Sequence, residues 1–220
     1  MCRTMTVGRK FLPLFLFLFF ETASLQAGEP VQAPQSREGD VWRFQVLHKD
    51  WITWSSDAIQ SGDYEVRYAQ GELRIFRLFD RAKEEISGIR VDPLLRMLGT
   101  FKGQSTLLEF PLFEGKKWKT QYRHDRGRRR TITTDHLVSG PKSITVPAGA
   151  FEAFRIDRDD RTDGRRGYIN TSDYFYVAAC GCIALYSVEI TSGATAWPRR
   201  YFGKREIMLI EFRSMKGQVS

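Results

Sequence analysis

Hydrophobic and polar residues alternate along most of the chain after residue 40. The clearest run is Lys117–His124, in which Trp118, Thr120 and Tyr122 share one face and mainly basic residues share the other. An alternation with a period of two is typical of a β-strand that buries one face. Turn residues separate such runs about every 8–12 residues. The pattern predicts a mainly β protein, either an antiparallel sandwich or an open (half) barrel, with one short helix.

The alternating runs predict about ten strands in an antiparallel arrangement. They fall within the following segments: 41–48, 64–68, 73–79, 117–124, 131–138, 144–156, 168–177, 181–190 and 206–212. The single helix is predicted after Asp92, a good N-cap residue, with Pro93 at its first position and Gly99 beyond its end. Leu94, Leu95 and Leu98 would form its apolar face.

The segment Ile144–Ile156 predicts a β-hairpin around the turn Val146–Gly149. Pro147 has a backbone φ suited to the second turn position, and Gly149 can adopt the positive φ that closes the turn. We therefore predict a tight hairpin, of the three-residue loop type that ends in a bulge. On the outgoing strand, Phe154 and Ile156 would share one face.

The first 27 residues have the organisation of a secretory signal peptide. Basic residues precede the apolar run Phe11–Phe20, and small residues follow it. A membrane-spanning helix needs roughly 20 apolar residues, so an anchor is the weaker alternative. Cleavage is predicted after Ala27, with Ser24 as an alternative. The domain prediction is a signal peptide at 1–27, a flexible lead-in at 28–40 and a single β-rich domain at 41–220, in the periplasm or secreted.

Cysteine is rare in the chain, which has three, and Cys2 lies in the predicted signal peptide. Cys180 and Cys182 remain, too few for a disulfide scaffold. Their C-x-C spacing is compatible with two small buried apolar side chains, a disulfide, or two thiolates for a soft metal. The first is favoured, and the disulfide is the basis of a redox alternative.

The chain is basic, with 34 Lys and Arg against 26 Asp and Glu and a formal charge of +8. Arginines cluster in predicted turns, most densely at Arg126, Arg128, Arg129 and Arg130. Such clusters can bind a polyanion, or they can be solvated loop charge. The export signal argues against nucleic acid as the partner. An anionic membrane or cell wall is the alternative.

Asp157–Gly164 contains four aspartates, but their spacing does not match a calcium-binding loop. We predict a salt-bridged turn there. His124 and His136 could lie on neighbouring strands, yet a metal site needs more ligands than the spacing supplies, so no metal is predicted. His124 is expected to be a hydrogen-bonded core residue. The chain lacks the common nucleophile, nucleotide and zinc-protease motifs, and no cofactor is predicted.

Four segments in order resemble a family of exported bacterial proteins known mainly as a domain of unknown function. They are GDVWRF (39–44), FEGKKW (113–118), SITVPAGAFEAFRI (143–156) and YFYVAACGCIALYS (174–187). The family pattern is Gly-Asp-x-Trp, Gly-Lys-x-Trp and Val-Pro-Ala-Gly-x-Phe, followed by a late aromatic strand. The resemblance implies an antiparallel β fold in the bacterial envelope, similar in outline to half-barrels that carry lipids or lipoproteins. It implies no catalytic residues, and this chain departs from the pattern at Cys180-Gly181-Cys182.

The aromatic content favours binding of a hydrophobic or amphipathic ligand, or of a partner, on a curved sheet. We therefore predict a non-enzymatic protein rather than an enzyme. The candidate ligand residues are Trp51, Trp54, Tyr122, Tyr174 and Tyr176. The alternative is that such residues only fill the core. Two other functions remain open: an assembly factor that docks through its arginine-rich loops, and a redox protein that uses Cys180 and Cys182.

Overall fold

The computed structural model describes residues 30–49, 59–80, 82–87, 92–99, 106–124, 130–162, 168–192 and 201–214. The elements are β1 (Val41–Lys49), β2 (Gly62–Ala69), β3 (Glu72–Phe79), β4 (Ala82–Ile86), α1 (Asp92–Met97), β5 (Lys117–His124), β6 (Arg130–Val146), β7 (Gly149–Thr162), β8 (Tyr168–Val177), β9 (Cys182–Ser192) and β10 (Tyr201–Arg213). The predicted signal peptide lies outside these residues. No helix among them is long and apolar enough to cross a membrane.

All ten strands form one antiparallel sheet in the order β4-β3-β2-β1-β10-β9-β8-β7-β6-β5. The mainly β fold with one short helix is confirmed. Of the two predicted arrangements, the described strands form the open one, because β4 and β5 lie at opposite edges and do not pair. β1 pairs with β10 from Val41↔Arg213 to Lys49↔Lys204, which joins the early strands to the later ones.

One face of the sheet, here called the inner face, carries most of the core. Alternate residues of β1 and β10 point to it, including Phe44, Val46 and Ile207. A bulge in β10 next to Arg43 and Phe44 lets Leu209 and Phe212, three residues apart, both pack inward. Leu94 and Met97 of α1, which packs against β9, join the same core.

The sheet curves strongly towards its inner face. The backbone N–H of Ala148, at the tip of the β6–β7 hairpin, donates to the carbonyl of Leu209 on β10 at 3.3 Å. Three strands separate β6 from β10. In a flat sheet those two strands would lie about 19 Å apart, given the usual spacing between neighbours. The hydrogen bond therefore requires a sheet curled into a half-barrel.

The helix and the lead-in have specific anchors. α1 begins at Asp92 as predicted, and Gly99 beyond its end has a φ of +69°. In the lead-in, Val31 exchanges backbone hydrogen bonds with Leu112. Pro34 lies against Gly181, where an added Cβ would come within 2.7 Å of the proline Cβ. From Val31 onward, the segment predicted as a flexible lead-in is thus held against the domain.

Several strands differ from the prediction, and one of them is β6, which joins the predicted segments 131–138 and 144–146 into a single strand. β7 continues to Thr162, so Asp157–Arg161 belongs to a strand. The prediction that this segment forms a salt-bridged turn is therefore wrong about its backbone conformation. The cross-strand pairs with β6 extend the strand, because Thr134, Asp135 and His136 continue to supply backbone partners for it. The polar strand β4 was not predicted, since its sequence AKEEI has no apolar alternation.

On the outer face of β1 to β4, a buried carboxylate binds three strands together. Glu65 on β2 accepts from Arg43 on β1 and forms ion pairs with Arg67 and with Lys83 on β4. Hydrogen bonds from Arg43 and Lys83 outweigh the opposing effect of burial and lower the pKa of Glu65. The polar strand β4 is therefore held by charge rather than by an apolar face.

The hairpin turn is confirmed in outline. Val146 pairs with Gly149, which has a φ of +133°. The loop has two residues, Pro147 and Ala148, rather than three, and the register shift of this hairpin lies at Gly140 instead of at the turn. The predicted bulge beside the turn is therefore displaced along β6.

Replacing Gly149 by Val should destabilise the fold by about 1–3 kcal/mol, because a β-branched side chain resists a positive φ. Steric clash contributes little, since an added Cβ would meet only Phe151 at an ordinary 3.8 Å. Urea unfolding would measure the change. Ala150→Val, at the next and exposed position, is the matched control and should be near neutral. Equal losses in both variants would contradict the backbone explanation.

Candidate ligand site on the inner face

The strand register lines up a continuous row of side chains across seven strands of the inner face. From β1 to β5, each residue stands directly opposite the next. This cationic row consists of His48, Arg205, Val188, Ser172, Arg158, His136 and Trp118. Two arginines and two histidines therefore occupy a face that elsewhere forms the core of the protein.

The rows on either side differ sharply in chemistry. Towards the β6–β7 turn lies an apolar row, made of Val46, Ile207, Tyr186, Tyr174, Ile156 and Val138. Towards the opposite end lies a polar row, whose described side chains include Asp160, Thr134 and Thr120. Rows on one face are about 7 Å apart, because alternate strand residues share a face. The inner face thus changes from apolar to polar over a short distance.

Arg158 and Asp160 form a buried ion pair at this boundary. The Arg158 Nε and Nη2 atoms donate to the two Asp160 carboxylate oxygens, each at 2.8 Å. The hydroxyl of Thr134, opposite on β6, donates to Asp160 Oδ1 at 2.7 Å. The side chains of Arg158 and Asp160 are 7% and 1% exposed. A bidentate, hydrogen-bonded pair of this kind is the geometry that allows charges to be buried.

His136 is the centre of a second buried network. Its Nδ1 lies 2.8 Å from the Tyr174 hydroxyl, its Nε2 lies 3.2 Å from the Thr120 hydroxyl, and its ring stacks on Trp118 at 4.6 Å. The Tyr174 hydroxyl donates its single proton to the carbonyl of Leu107 at 2.5 Å. Tyr174 must therefore accept from Nδ1–H of His136. The imidazole is the neutral Nδ1–H tautomer, and Nε2 accepts from Thr120.

Burial and, to a smaller extent, the positive charge of Arg158 lower the pKa of His136 to about 4, against the opposing effects of Asp160 and Asp135. Burial likewise raises the pKa of Tyr174 well above its ordinary value. Both groups are therefore uncharged at neutral pH. Both ring nitrogens of His136 are engaged in hydrogen bonds, so the ring offers no free nitrogen to a substrate.

Ser172 lies in the middle of the cationic row, between Arg158 and Val188. The residue is 3% exposed, and its hydroxyl has no hydrogen-bond partner among the described residues. At the β1 end of the row, His48 and Arg205 are only half-buried. Burial, followed by the charge of Arg205, lowers the pKa of His48. The row is therefore most accessible to solvent at β1 and β10.

The predicted ligand residues are distributed differently. Tyr174 and Tyr176 are 0% and 1% exposed, and Tyr176 packs edge-on against Phe110, so both belong to the core. Tyr122 occupies β5 opposite Ile132. Trp51 and Trp54 lie outside the described residues. The structure thus places Tyr174 in the apolar row, next to the cationic row, and Tyr176 two residues further along β8 on the same face.

Of the predicted anion-binding arginines, Arg126, Arg128 and Arg129 lie outside the described residues, and Arg130 opens β6 opposite His124. Cys180 and Cys182 form a disulfide and are both buried. Trp42 Nε1 donates to the carbonyl of Cys180 at 2.8 Å, which ties this turn to β1. The described residues contain no group of three or more ligands placed to hold a metal ion.

Sequence reasoning did not select Ser172, Arg158 and Asp160 as site residues, and it considered His136 only as a metal ligand. A signal existed for Arg158 and Asp160, because residues two apart in a strand share a face. The prediction of a turn for this segment hid the fact that Arg158 and Asp160 share one face of a strand. His136 is a buried, hydrogen-bonded histidine, and the expectation that His124 is a hydrogen-bonded core residue stays a prediction.

No protein-family profile and no curated protein match this chain. Among solved structures, it is similar to a candidate lipoprotein from Parabacteroides distasonis, with a TM-score of 0.39 and 11% identity over 84% of this chain and 100% of that one. A candidate exported protein with a YmcC-like fold from Bacteroides fragilis gives 0.39 and 10% over the same shares. The hypothetical lipoprotein YmcC from Escherichia coli gives 0.30 and 10%, over 80% and 86%.

The neutral state of His136 predicts a pH-dependent stability. Its folded pKa, about 4, lies below the ordinary 6.5, so the unfolded chain binds the proton first as the pH falls. Stabilisation present above pH 6.5 should be lost as the pH approaches 4, by about 3 kcal/mol in total. Urea unfolding at about pH 7.5 and about pH 4.5 would measure it. His136→Gln should flatten this component, and parallel pH slopes in both proteins would contradict it.

Proposed function

We propose that this chain is an exported, non-enzymatic protein of the bacterial envelope that binds a hydrophobic or amphipathic molecule, or a partner segment of that character, on the inner face of its open sheet. The observation that carries the proposal is the boundary between the apolar row and the cationic row. The residues of the apolar row are at most 6% exposed, so such a molecule would approach the boundary from the half-buried end of the cationic row. There its apolar and polar parts can each contact groups of their own kind.

The open sheet supports this proposal. β4 and β5 form separate edges and leave the half-barrel unclosed within the described strands. The cationic row becomes half-buried at Arg205 and His48, which is where a ligand would enter from solvent. Trp51 and Trp54 follow His48 closely in the chain, so they remain candidates for the aromatic part of the site.

The buried networks support binding rather than catalysis. A general base needs a nitrogen or oxygen within reach of the substrate proton. His136 uses both nitrogens internally, and Asp160 accepts three hydrogen bonds from Arg158 and Thr134. These groups are suited to holding the inner face in one arrangement. The buried disulfide is likewise placed for structure, since Cys180 and Cys182 are both in the core.

A second candidate function, docking onto an anionic envelope component, is favoured by the strand topology. The pairs His124–Arg130, Thr162–Tyr168 and Ser192–Tyr201 flank three connecting segments at one end of the sheet. Each segment contains arginines, namely Arg126, Arg128 and Arg129, then Arg165 and Arg166, then Arg199 and Arg200. These seven arginines would supply the positive charge for such docking.

The ligand proposal predicts saturable binding of dansylundecanoic acid by the exported protein, at one site per chain. Dansyl fluorescence would measure it. Val188→Thr replaces a methyl group of the inner face by a hydroxyl and should weaken binding by about tenfold, since a hydroxyl contacts an apolar ligand less favourably than a methyl group does. Leu137→Thr, on the exposed outer face, is the control and should bind as the unchanged protein does. Failure to saturate, or equal weakening in both variants, would contradict the proposal.

The docking alternative predicts sedimentation with anionic liposomes that falls steeply with salt, because exposed charges are screened beyond about 10 Å at 0.1 M. Neutral phosphatidylcholine liposomes are the control. Binding to anionic liposomes that is insensitive to salt would argue against docking through the arginine-rich segments.

A further inference from the structure

We propose that the β5 edge of the sheet docks an extended, acidic segment of a partner protein, which adds to the sheet as a further antiparallel strand. The proposal concerns the edge that faces away from β6, here called the free edge, and does not depend on ligand binding to the inner face. It is carried by outward-facing backbone groups that coincide with exposed lysines on the same strand.

The backbone of β5 is the first argument. Among the described strands, β5 pairs with β6 alone, so no strand lies along its other side. In an antiparallel ladder, alternate residues direct both of their backbone groups to the same neighbour. The carbonyl of Lys116, just before β5, accepts from the N–H of Val138 on β6, which sets the phase of this alternation. The backbone N–H and C=O groups of Lys117, Lys119 and Gln121 therefore point to the free edge.

The form of this edge is the second argument. Exposed edge strands are usually protected against pairing by short length, bulges, proline or charge. β5 has eight residues without a proline, and its register with β6 is unbroken from Lys117↔Leu137 to His124↔Arg130. The strand at the opposite edge of the described sheet, β4, has only five residues. β5 is thus long and regular enough to accept a strand, and its charge restricts which strand that is.

The charge of β5 is the third argument, and it identifies the partner. Lys117 and Lys119 lie on the outer face of the strand and are both exposed. Lys119 forms an ion pair with Asp135 at 3.2 Å, yet its side chain remains 73% exposed, and exposed pairs contribute little. Lys117 stands opposite Leu137, which carries no charge. Because opposite charges stabilise cross-strand pairs, glutamate or aspartate is favoured on the incoming strand.

A second copy of this chain fits the edge poorly. Two β5 strands side by side would place the lysines of one copy next to those of the other, and like charges opposite each other destabilise a strand pair. The β4 strand of another copy offers mixed charge, since Lys83 and Glu85 alternate onto one face. The formal charge of +8 also opposes self-association. Lysines on this edge thus discourage self-pairing and admit an acidic strand.

The two faces of the incoming strand require different side chains. On the outer face its neighbours would be Lys117 and Lys119, and on the inner face they would be Trp118 and Thr120. Alternate residues of a strand share a face, so acidic residues should alternate with apolar or β-branched ones. The partner segment is therefore expected to combine this alternation with a net negative charge.

The test uses the exported protein and fluorescein-labelled peptides with blocked ends and the length of β5, eight residues. In one peptide glutamate alternates with valine, and in the other lysine alternates with valine. Fluorescence anisotropy would measure the dissociation constants. We expect saturable binding of the glutamate–valine peptide, about tenfold or more tighter than that of the lysine–valine peptide.

N-methylated peptides test whether the backbone is paired. In an antiparallel pair, the glutamates opposite Lys117 and Lys119 would direct their N–H groups to β5, and the valines would direct theirs away. N-methylation of the glutamate amides should therefore abolish binding. N-methylation of the valine amides is the matched control and should preserve the affinity within about twofold.

Variants of the chain test the position of the site. Lys119→Pro removes an N–H that faces the free edge and no hydrogen bond to β6, so it should abolish peptide binding and retain the β-sheet circular dichroism spectrum. Lys117→Glu should weaken binding of the glutamate–valine peptide by about tenfold through like-charge repulsion. Lys142→Glu is the matched control, because Lys142 is exposed and lies beyond the part of β6 that pairs with β5. Its affinity should change by less than about twofold.

Each outcome decides one part of the proposal. Equal affinities of the two N-methylated peptides would overturn strand addition, and equal affinities of the glutamate and lysine peptides would overturn the acidic partner. Equal weakening by Lys117→Glu and Lys142→Glu would overturn the assignment to β5, and this comparison stands even if Lys119→Pro fails to fold. Dimers of the protein that the glutamate–valine peptide dissociates would identify a second copy as the occupant and overturn the proposed partner.

Discussion

The pairing of β1 with β10 is the constraint on which the rest of the structure depends. It joins residues near the two ends of the domain, Val41 and Arg213, and closing so long a chain segment is entropically costly. The cost is offset by the core that the pairing assembles, in which Trp42 stacks on Phe212 and Phe44 packs with Leu209. Without this pairing, β1 to β4 would have no sheet to extend, and His48 would not stand beside Arg205.

The curvature of this sheet partly encloses the inner face, on which the candidate site lies. Because the β6–β7 tip reaches Leu209, the inner faces of β6 to β10 surround a common interior, and α1 and segment 106–112 pack into part of it. The apolar row fills this core. The cationic and polar rows lie beyond it, where buried polar side chains have hydrogen-bond partners. Asp160 accepts from Arg158, and Tyr174 and Thr120 pair with the neutral His136. The Ser172 hydroxyl and the Trp118 Nε1 atom are buried in the cationic row without a hydrogen-bond partner among the described residues.

Much of the local structure could be predicted from the sequence. Alternation in Lys117–His124 correctly placed Trp118 inward, and the Pro147–Gly149 turn chemistry placed a hairpin with a positive φ at Gly149. The helix at Asp92 followed from its N-cap and terminal glycine. The candidate site was far less predictable. Arg158 and Asp160 resembled loop charge, because a polar strand segment has the same composition as a turn and becomes a strand only when β6 supplies backbone partners.

The sequence by itself indicated most of the strands and the β6–β7 turn, because these depend on neighbouring residues and their backbone preferences, and it contains the export signal predicted for the N-terminus. It also indicated the β class, since the alternation of apolar and polar residues shows which face of each strand is buried. Tertiary structure alone decided the strand order, the curvature and the row that unites His48, Arg205, Ser172, Arg158 and His136. Those features depend on register between strands distant in the chain, and register is set by how the two faces pack rather than by any local pattern.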